Sequence, residues 1–204
     1  MAYEGVVIAL DLASSSGVAE GCPGEIPYLS VERFRKEHDD YEESFGRAIG
    51  FIAERLQAER FIAGRFYARG EAVENAMIRV AIEAPIMTFA SNDTNADALL
   101  ITKGLWAAVG GFSRRRGAMV SRFAVETVRK SFIGYGRAPK GSPKDTAKRE
   151  ARRVCRALGW TPPNLDAADA GALWWHACQQ WAPGVGPDVR PHWERAQLAV
   201  GQAA

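Results

Sequence analysis

The sequence lacks long apolar runs, paired cysteines and clustered histidines. No stretch reaches the roughly 20 consecutive apolar residues that a membrane-spanning helix requires, so we expect no membrane association. Cys22, Cys155 and Cys178 are an odd number without metal-site spacing, which argues against a disulfide framework and a zinc site. Residues 1–5 contain no basic leader of the kind that begins a signal peptide. We therefore expect a protein of the reducing cytoplasm.

The composition is that of an ordinary globular protein. The chain has 204 residues, of which 47% are hydrophobic and 25% are charged, enough for one domain with a substantial core. A segment rich in proline and glycine, residues 183–187, interrupts the helical pattern near the end. We predict one domain over residues 1–182, followed by a weakly ordered C-terminal tail at 183–204 with a short helix around Trp193.

Strand and helix patterns alternate along the chain. The continuous apolar run in residues 5–12 predicts a central strand that is buried on both faces. Further strands are predicted at 17–20, 28–34, 79–83 and 118–123. Helices are predicted from Asp39 to Leu56 and over 92–116, 124–132, 144–158 and 165–181, whereas residues 60–78 show no clear pattern. This order predicts an α/β fold with a mixed five-stranded sheet flanked by helices.

Four carboxylates occupy unusual positions at the ends of these predicted elements. Asp11 and Glu83 end apolar strands, and Asp166 and Asp169 begin an apolar helix one turn apart. Acidic side chains in such settings need a compensating cation or hydrogen bonds. If the two strands are neighbours, the carboxylates converge at one sheet edge. Hard oxygen ligands of this kind favour Mg²⁺, with Mn²⁺ as a substitute, and metal-assisted phosphodiester chemistry.

Each carboxylate also has an alternative explanation in which it is not a metal ligand of a nuclease. Asp166 or Asp169 could cap the helix, although Asn164 is already available as a cap. Glu83 could pair with Arg79. The segment around Asp11, continuing into the small residues 13–17, resembles the first phosphate loop of sugar kinases and actin-like ATPases, but those proteins need two such domains and the chain is too short for them.

The net charge of +2 conceals a basic block. Residues 114–156 carry 14 Lys or Arg and 3 acidic residues, whereas the rest of the chain has a net charge of −9. Such a block next to acidic metal ligands is typical of enzymes that act on nucleic acids, although it could be a solvated helix face. We expect DNA contacts from Arg114, Arg115, Lys130, Arg137, Lys144, Lys148, Arg149 and Arg152. The arginines that end the helix at 92–116 could equally complement its dipole.

The chain resembles the RuvC family of Holliday-junction resolvases, within the RNase H-like superfamily, over roughly residues 5–180. The resemblance rests on four segments in order: Ile8–Asp11, Ala81–Glu83, Val128–Lys140 and Asp166–Ala170. The turn after Asp11 departs from the usual Asp-Pro-Gly, and residues 60–78 have no counterpart.

The resemblance implies roles for individual residues. The four catalytic and metal-binding carboxylates fall on Asp11, Glu83, Asp166 and Asp169, which would hold two ions. The basic residues near the scissile phosphate fall on Arg129 and Lys140. An apolar wedge that contacts DNA falls on Ile86, with Phe89 nearby.

We therefore predict a metal-dependent, structure-selective endonuclease that makes paired cuts in four-way DNA. Symmetric cutting requires two active sites, and the resemblance implies a homodimer formed through the helix at 92–116, where Leu99, Trp106 and Val109 provide apolar surface. Two alternatives remain open. One is another RNase H-like nuclease for flaps, branched DNA or packaging, and the other is a non-catalytic DNA-binding relative.

Overall fold

The computed structural model describes residues 5–67, 78–84 and 96–193, and side chains in all of these except 58–67. Within those ranges the elements follow the predicted order. They are β1 (Val7–Asp11), β2 (Ser15–Gly21), β3 (Tyr28–Arg33), α1 (Tyr41–Tyr67), β4 (Arg79–Glu83), α2 (Ala96–Arg115), β5 (Met119–Phe123), α3 (Val125–Ile133), α4 (Thr146–Ala157) and α5 (Leu165–Trp181). None of the described helices is long and apolar enough to cross a bilayer.

The five strands form one mixed sheet in the order β3-β2-β1-β4-β5, which confirms the predicted fold class. The first three strands pair antiparallel, and β1, β4 and β5 run parallel. In the parallel pair of β1 and β4, Leu10 lies opposite Ile82. The two strands that end in Asp11 and Glu83 are therefore neighbours that run in the same direction.

Helices cover both faces of the sheet, which explains why β1 is apolar throughout. Val7 and Ala9 face the layer formed by α3, α4 and α5, whereas Ile8 and Leu10 face α1 and α2. All four side chains are fully buried. The continuous apolar run thus serves two separate cores, one on each side of the same strand.

The small residues 13–17, which resemble a phosphate loop in sequence, belong to the hairpin between β1 and β2. Ser15 and Ser16 already belong to β2, and Gly17 pairs with Asp11. The Ser16 hydroxyl closes the turn, because it donates to the Ala13 carbonyl at 2.7 Å and accepts from the Ala13 amide at 3.0 Å. Residues 13–17 therefore form the turn of the β1–β2 hairpin and the first residues of β2.

Three predicted segments differ from the described structure or are covered by it only in part: helix α1, helix α2 and the tail. Helix α1 continues to Tyr67, well into the segment without a clear sequence pattern. Helix α2 begins at Ala96, and residues 92–95 lie outside the described residues. Part of the predicted tail packs on the domain: Val189 is fully buried and Trp193 donates to the Phe132 carbonyl at 2.8 Å.

Candidate functional site

The candidate site lies at the carboxyl ends of β1 and β4. Asp11 and Glu83 are the last residues of these strands, each one position beyond the paired Leu10 and Ile82. Because the strands are parallel neighbours, both carboxylates reach the same sheet edge. Glu83 makes no ion pair within 4 Å among the described residues, and the Arg79 guanidinium lies over the Trp181 ring. The alternative pairing of Glu83 with Arg79 is therefore absent from this part of the structure.

The first turn of α5 brings two more carboxylates to this edge. Asn164 is the N-cap of α5, since its side chain accepts from the Ala167 amide at 2.9 Å. The capping explanation therefore applies to Asn164, which leaves Asp166 and Asp169 for other contacts. Helix α5 approaches the sheet very closely here: a Cβ added to Gly17 would lie 2.0 Å from the Asp166 carbonyl oxygen.

Two cationic side chains hold these carboxylates. The Lys148 Nζ lies 2.7 Å from Asp166 Oδ1, 3.5 Å from Asp169 Oδ2 and 3.6 Å from Asp11 Oδ2. On the other side, Arg129 from α3 donates to Asp169 Oδ2 at 2.7 Å. Four acidic and two basic side chains thus form one group, which we call the carboxylate cluster: Asp11, Glu83, Asp166, Asp169, Lys148 and Arg129.

Burial makes this cluster electrostatically unusual. Desolvation, together with the nearby Asp11 and Asp169, raises the pKa of Glu83 to about 8. Desolvation also raises the pKa of Asp11 to about 6, although Lys148 opposes the shift. For Lys148, burial lowers the pKa, but the surrounding carboxylates outweigh it and raise the pKa above its ordinary value. The carboxylates are therefore close enough to repel one another, and an additional cation would relieve that repulsion.

The donor chemistry of the cluster fits a hard divalent cation. All four acidic ligands supply oxygen, which suits Mg²⁺ and Mn²⁺. Asp169 Oδ1 is buried and has no hydrogen-bond partner, so it keeps lone pairs for a ligand. The described residues contain no group of three or more His, Cys, Asp or Glu side chains already arranged for a metal ion. Three of the carboxylates instead converge on the Lys148 ammonium.

The structure brings some predicted phosphate-contacting residues together and leaves others apart. Arg129 joins the cluster, whereas Lys140 is exposed in the loop between α3 and α4. Arg137 pairs with Glu126 at 2.6 Å on the surface. Four other predicted DNA-contacting residues are exposed: Arg114, Arg115, Lys130 and Lys144. Ile86 and Phe89 lie outside the described residues.

Beside the cluster, α4 presents a basic groove of about 390 Å³. Its lining consists of Arg149, Arg152, Arg153, Arg156 and the first residue of α5, Leu165. The opposite side of α4 is buried through Ala147, Ala151, Val154 and Cys155, so the helix is divided into an apolar and a basic side. The predicted basic face of α4 therefore exists and opens next to the carboxylates.

Sequence reasoning missed two features of the site. Lys148 was assigned to the basic face, yet its side chain is three-quarters buried and points to the carboxylates. The sequence pattern carried no signal for this contact, because the predicted helix over 144–158 places Lys148 in its second turn with Asp145 in the first; only the observed start at Thr146 places Lys148 in a first turn without an acid. Gly17 was read as the end of a small-residue segment and the start of a strand, and no sequence pattern indicates its contact with α5.

Solved structures that are similar to this chain include the following three. A Thermus thermophilus RuvC structure is 20% identical, with a TM-score of 0.58, covering 86% of this chain and 95% of that chain. T. thermophilus RuvC in complex with a Holliday junction substrate is 17% identical, with a TM-score of 0.58, and the match covers 86% of this chain and 94% of that chain. The yeast mitochondrial Holliday junction resolvase Ydc2 is 9% identical, with a TM-score of 0.48, and the match covers 94% of this chain and 83% of that chain.

No protein-family model and no curated protein sequence matches the chain. The structural similarity shows that the chain has a RuvC-like fold, in agreement with the resemblance drawn from its motifs.

Proposed function

We propose that this protein is a divalent-metal-dependent DNA endonuclease that resolves four-way junctions by paired cuts. The observation that carries the proposal is the carboxylate cluster itself: four acidic side chains from β1, β4 and α5 meet at one edge of a RuvC-like sheet, directly beside an arginine-lined groove. Neither feature alone indicates a nuclease, but acidic metal ligands next to a phosphate-attracting surface form a coherent site.

The four carboxylates would hold two Mg²⁺ ions, with Mn²⁺ as a substitute. When bound, such ions activate water and neutralise charge on the phosphate and the leaving oxygen. Asp169 orients Arg129 through the 2.7 Å hydrogen bond, so the guanidinium is in place to stabilise negative charge that develops on the phosphodiester. The exposed Lys140 is available to a backbone phosphate from the neighbouring loop.

The basic groove would supply affinity for DNA without reading its sequence. Its four arginines project from one helix, and guanidinium groups bind phosphate oxygens in a bidentate manner. Arg114, Arg115, Lys130, Arg137 and Lys144 extend the positive surface. Because these contacts involve the DNA backbone, we propose that substrate choice depends on the geometry of the junction.

Paired cuts require two sites, and we propose a cytoplasmic homodimer that forms through α2. Leu100 on this helix is 53% exposed, a large apolar side chain that belongs to neither core of the described residues. Val109 is buried within the subunit, and Trp106 is half-buried with the Arg122 guanidinium 3.9 Å above its ring. The dimer contact proposed here is therefore centred on the first half of α2.

The test compares Glu83→Gln and Asp169→Asn with a matched control, Asp188→Asn. Asp188 pairs with Arg190 on the surface at 2.8 Å, away from the cluster. On synthetic four-way junctions with Mg²⁺, we expect symmetric cuts by the wild type and the control. The two site variants should bind the junction but cut it at least roughly a hundredfold more slowly, because metal-dependent charge stabilisation is lost.

Parallel reactions on flap, three-way and linear DNA distinguish the alternatives. Faster cleavage of flaps or three-way DNA than of four-way junctions would identify a different branched-DNA nuclease. Junction binding without cleavage in Mg²⁺ or Mn²⁺ would identify a non-catalytic relative. Normal cleavage by both site variants would overturn the assignment of the site.

A further inference from the structure

Lys148 occupies the centre of the carboxylate cluster. Its Nζ contacts one oxygen each of Asp166, Asp169 and Asp11, at 2.7, 3.5 and 3.6 Å. These are three of the four groups that the proposed function assigns to divalent ions. A single ammonium group thus sits where oxygen ligands from β1 and α5 converge.

Its own helix does not account for this position. Lys148 lies in the first turn of α4, near the positive end of the helix dipole, and no acidic residue occupies that turn. The arginines that follow on the same helix point into the basic groove, whereas the Lys148 side chain is only 26% exposed. The favourable interactions of Lys148 are therefore those with β1 and α5.

Arg129 differs from Lys148 in the way it is held. Among the described residues, the ion pair of Arg129 is with Asp169 Oδ2, while Asp169 Oδ1 is buried without a hydrogen-bond partner. A divalent ion can therefore use Asp169 Oδ1 without removing Arg129. In contrast, an ion bound by Asp166 and Asp11 would coordinate the carboxylate oxygens that the Lys148 ammonium contacts, and would occupy the same position.

The net charge of the cluster also indicates that one of the two cationic side chains leaves when two divalent ions bind. Four carboxylates and two fixed cations leave a formal charge of −2, which one divalent ion balances. A second divalent ion would give the cluster an excess positive charge unless one cationic side chain leaves. Lys148 has the flexible stem and the route to solvent, since its helix begins at the surface and the basic groove lies beside it.

We propose that Lys148 is a resident counter-cation that stabilises the carboxylate cluster before metal binding and competes with a divalent ion for Asp11 and Asp166. This inference rests on the proposed function for the identity of the competing ion. After displacement, the ammonium group is free to pair with a DNA phosphate beside the groove. Lys148 is thus a positioning residue in the metal-free protein and a competitor of the metal.

The test measures Mn²⁺ binding to DNA-free protein by isothermal titration calorimetry, together with thermal melting. Lys148→Met removes the charge and keeps most of the side-chain volume. Arg149→Met removes the same charge one residue further along, on the exposed side of α4. We expect Lys148→Met to bind Mn²⁺ roughly tenfold more tightly than the wild type and to melt at a lower temperature without metal. Arg149→Met should change both quantities much less.

A second measurement uses the unmodified protein, so it does not depend on the folding of a variant. Acetic anhydride labelling followed by mass spectrometry should show greater modification of Lys148 in saturating Mg²⁺ than without it, with Lys144 as the internal reference. Unchanged Mn²⁺ affinity in a folded Lys148→Met, or unchanged labelling at saturating Mg²⁺, would overturn the competition. If neither the wild type nor Lys148→Met binds Mn²⁺, the metal site of the proposed function fails as well, which is a distinct result.

Discussion

The two faces of the central sheet are packed with side chains of different size. Most positions of the central strands on the face under α5 are small, namely Ala9, Gly17, Ala19 and Ala81, with the branched Val7 at the start of β1. The face under α1 and α2 is lined by branched aliphatic residues, namely Ile8, Leu10, Val18, Val80 and Ile82. All these alanines and branched residues are essentially fully buried. The difference is therefore one of packing distance and not of exposure.

Small residues on one face allow a helix to approach the sheet, and the distance between α5 and the sheet changes along the helix. The first half of α5 contains small residues, namely Ala167, Ala168, Ala170, Gly171 and Ala172. Leu173, Trp174 and Trp175 follow them. On β2, Gly17 meets the backbone of Asp166, whereas a Cβ at Gly21 would lie 3.7 Å from the Trp174 ring. Helix α5 is consequently closest to the sheet at the carboxylate cluster.

The two faces contribute differently to the site. The contact at Gly17 is with backbone, which has no rotamer to adjust, so it constrains the position of Asp166 and Asp169 relative to Asp11. Large aliphatic side chains on the other face remove apolar surface from water, at about 1.5–3 kcal/mol for each fully buried residue. The α5 face thus sets the geometry of the site, whereas apolar burial on both faces contributes to stability.

The largest expected effect comes from Gly17→Ala, compared with Gly104→Ala on the other face. A Cβ added at residue 17 would lie 2.0 Å from the Asp166 carbonyl oxygen. Because this oxygen belongs to the backbone, no change of side-chain rotamer relieves the clash. The Gly104 Cβ would meet the Phe45 ring at the same distance, but that ring is a movable side chain. We expect Gly17→Ala to cost about 1–3 kcal/mol of unfolding free energy and to abolish junction cleavage.

Gly104→Ala should reduce stability by a similar or smaller amount and keep the cleavage rate per folded molecule. Urea denaturation and single-turnover cleavage measure the two quantities separately. Equal loss of cleavage in both variants would contradict the division between the faces.

Adjacent residues of β4 provide a finer test, since Ala81 faces α5 and Val80 faces α1 and α2. Ala81→Val adds volume beneath α5 and should shift Asp169, reducing cleavage together with about 1–3 kcal/mol of stability. Val80→Ala creates a cavity on the opposite side and should cost about 2 kcal/mol with little effect on cleavage by the folded protein. A cleavage loss as large in Val80→Ala as in Ala81→Val would show that the site depends on both cores.

The α1/α2 face also carries the proposed dimer contact. Leu100→Glu should convert a dimer to a folded monomer that nicks junctions without paired cuts, because a charge replaces an exposed apolar side chain at the interface. Ile26→Glu is the matched control, since Ile26 is 69% exposed before β3, far along the chain from α2. Sedimentation velocity and the ratio of nicked to resolved product are the measurements. A dimer that persists in Leu100→Glu would exclude this part of α2 as the interface.

The smallest effect concerns a buried histidine on the α5 side. Burial lowers the pKa of His176, whose Nδ1 lies 2.7 Å from the Ser131 hydroxyl. Below the ordinary pKa of about 6.5, the unfolded chain binds a proton that the folded protein does not, so the free energy of unfolding decreases as pH falls. His176→Gln should remove this part of the pH dependence, which urea denaturation at a series of pH values measures. Identical profiles for His176→Gln and the wild type would contradict the assignment.

Local sequence patterns were sufficient to predict most elements of this fold. The apolar run before Asp11 predicted a strand buried on both faces, and the bounds of α5 at residues 165–181 were predicted without error. Asn164 was recognisable as a cap because capping depends on residues within one turn. The basic and apolar sides of α4 follow from helical spacing alone. These features depend on neighbours in the chain, so the sequence is enough to establish them.

Contacts between distant segments required the tertiary structure. Lys148 fits the three- and four-residue spacing of the arginines on α4, so its sequence position does not distinguish it from them. Only the placement of α4 beside α5 directs its ammonium to Asp166. Gly17 and Asp166 are far apart in the sequence, and their contact depends on how closely α5 packs on β2. Trp106 has the pattern of an interface residue, yet β5 brings Arg122 over its ring. The sequence by itself determined which side chains are available, and the packing of helices on the sheet decided which of them meet.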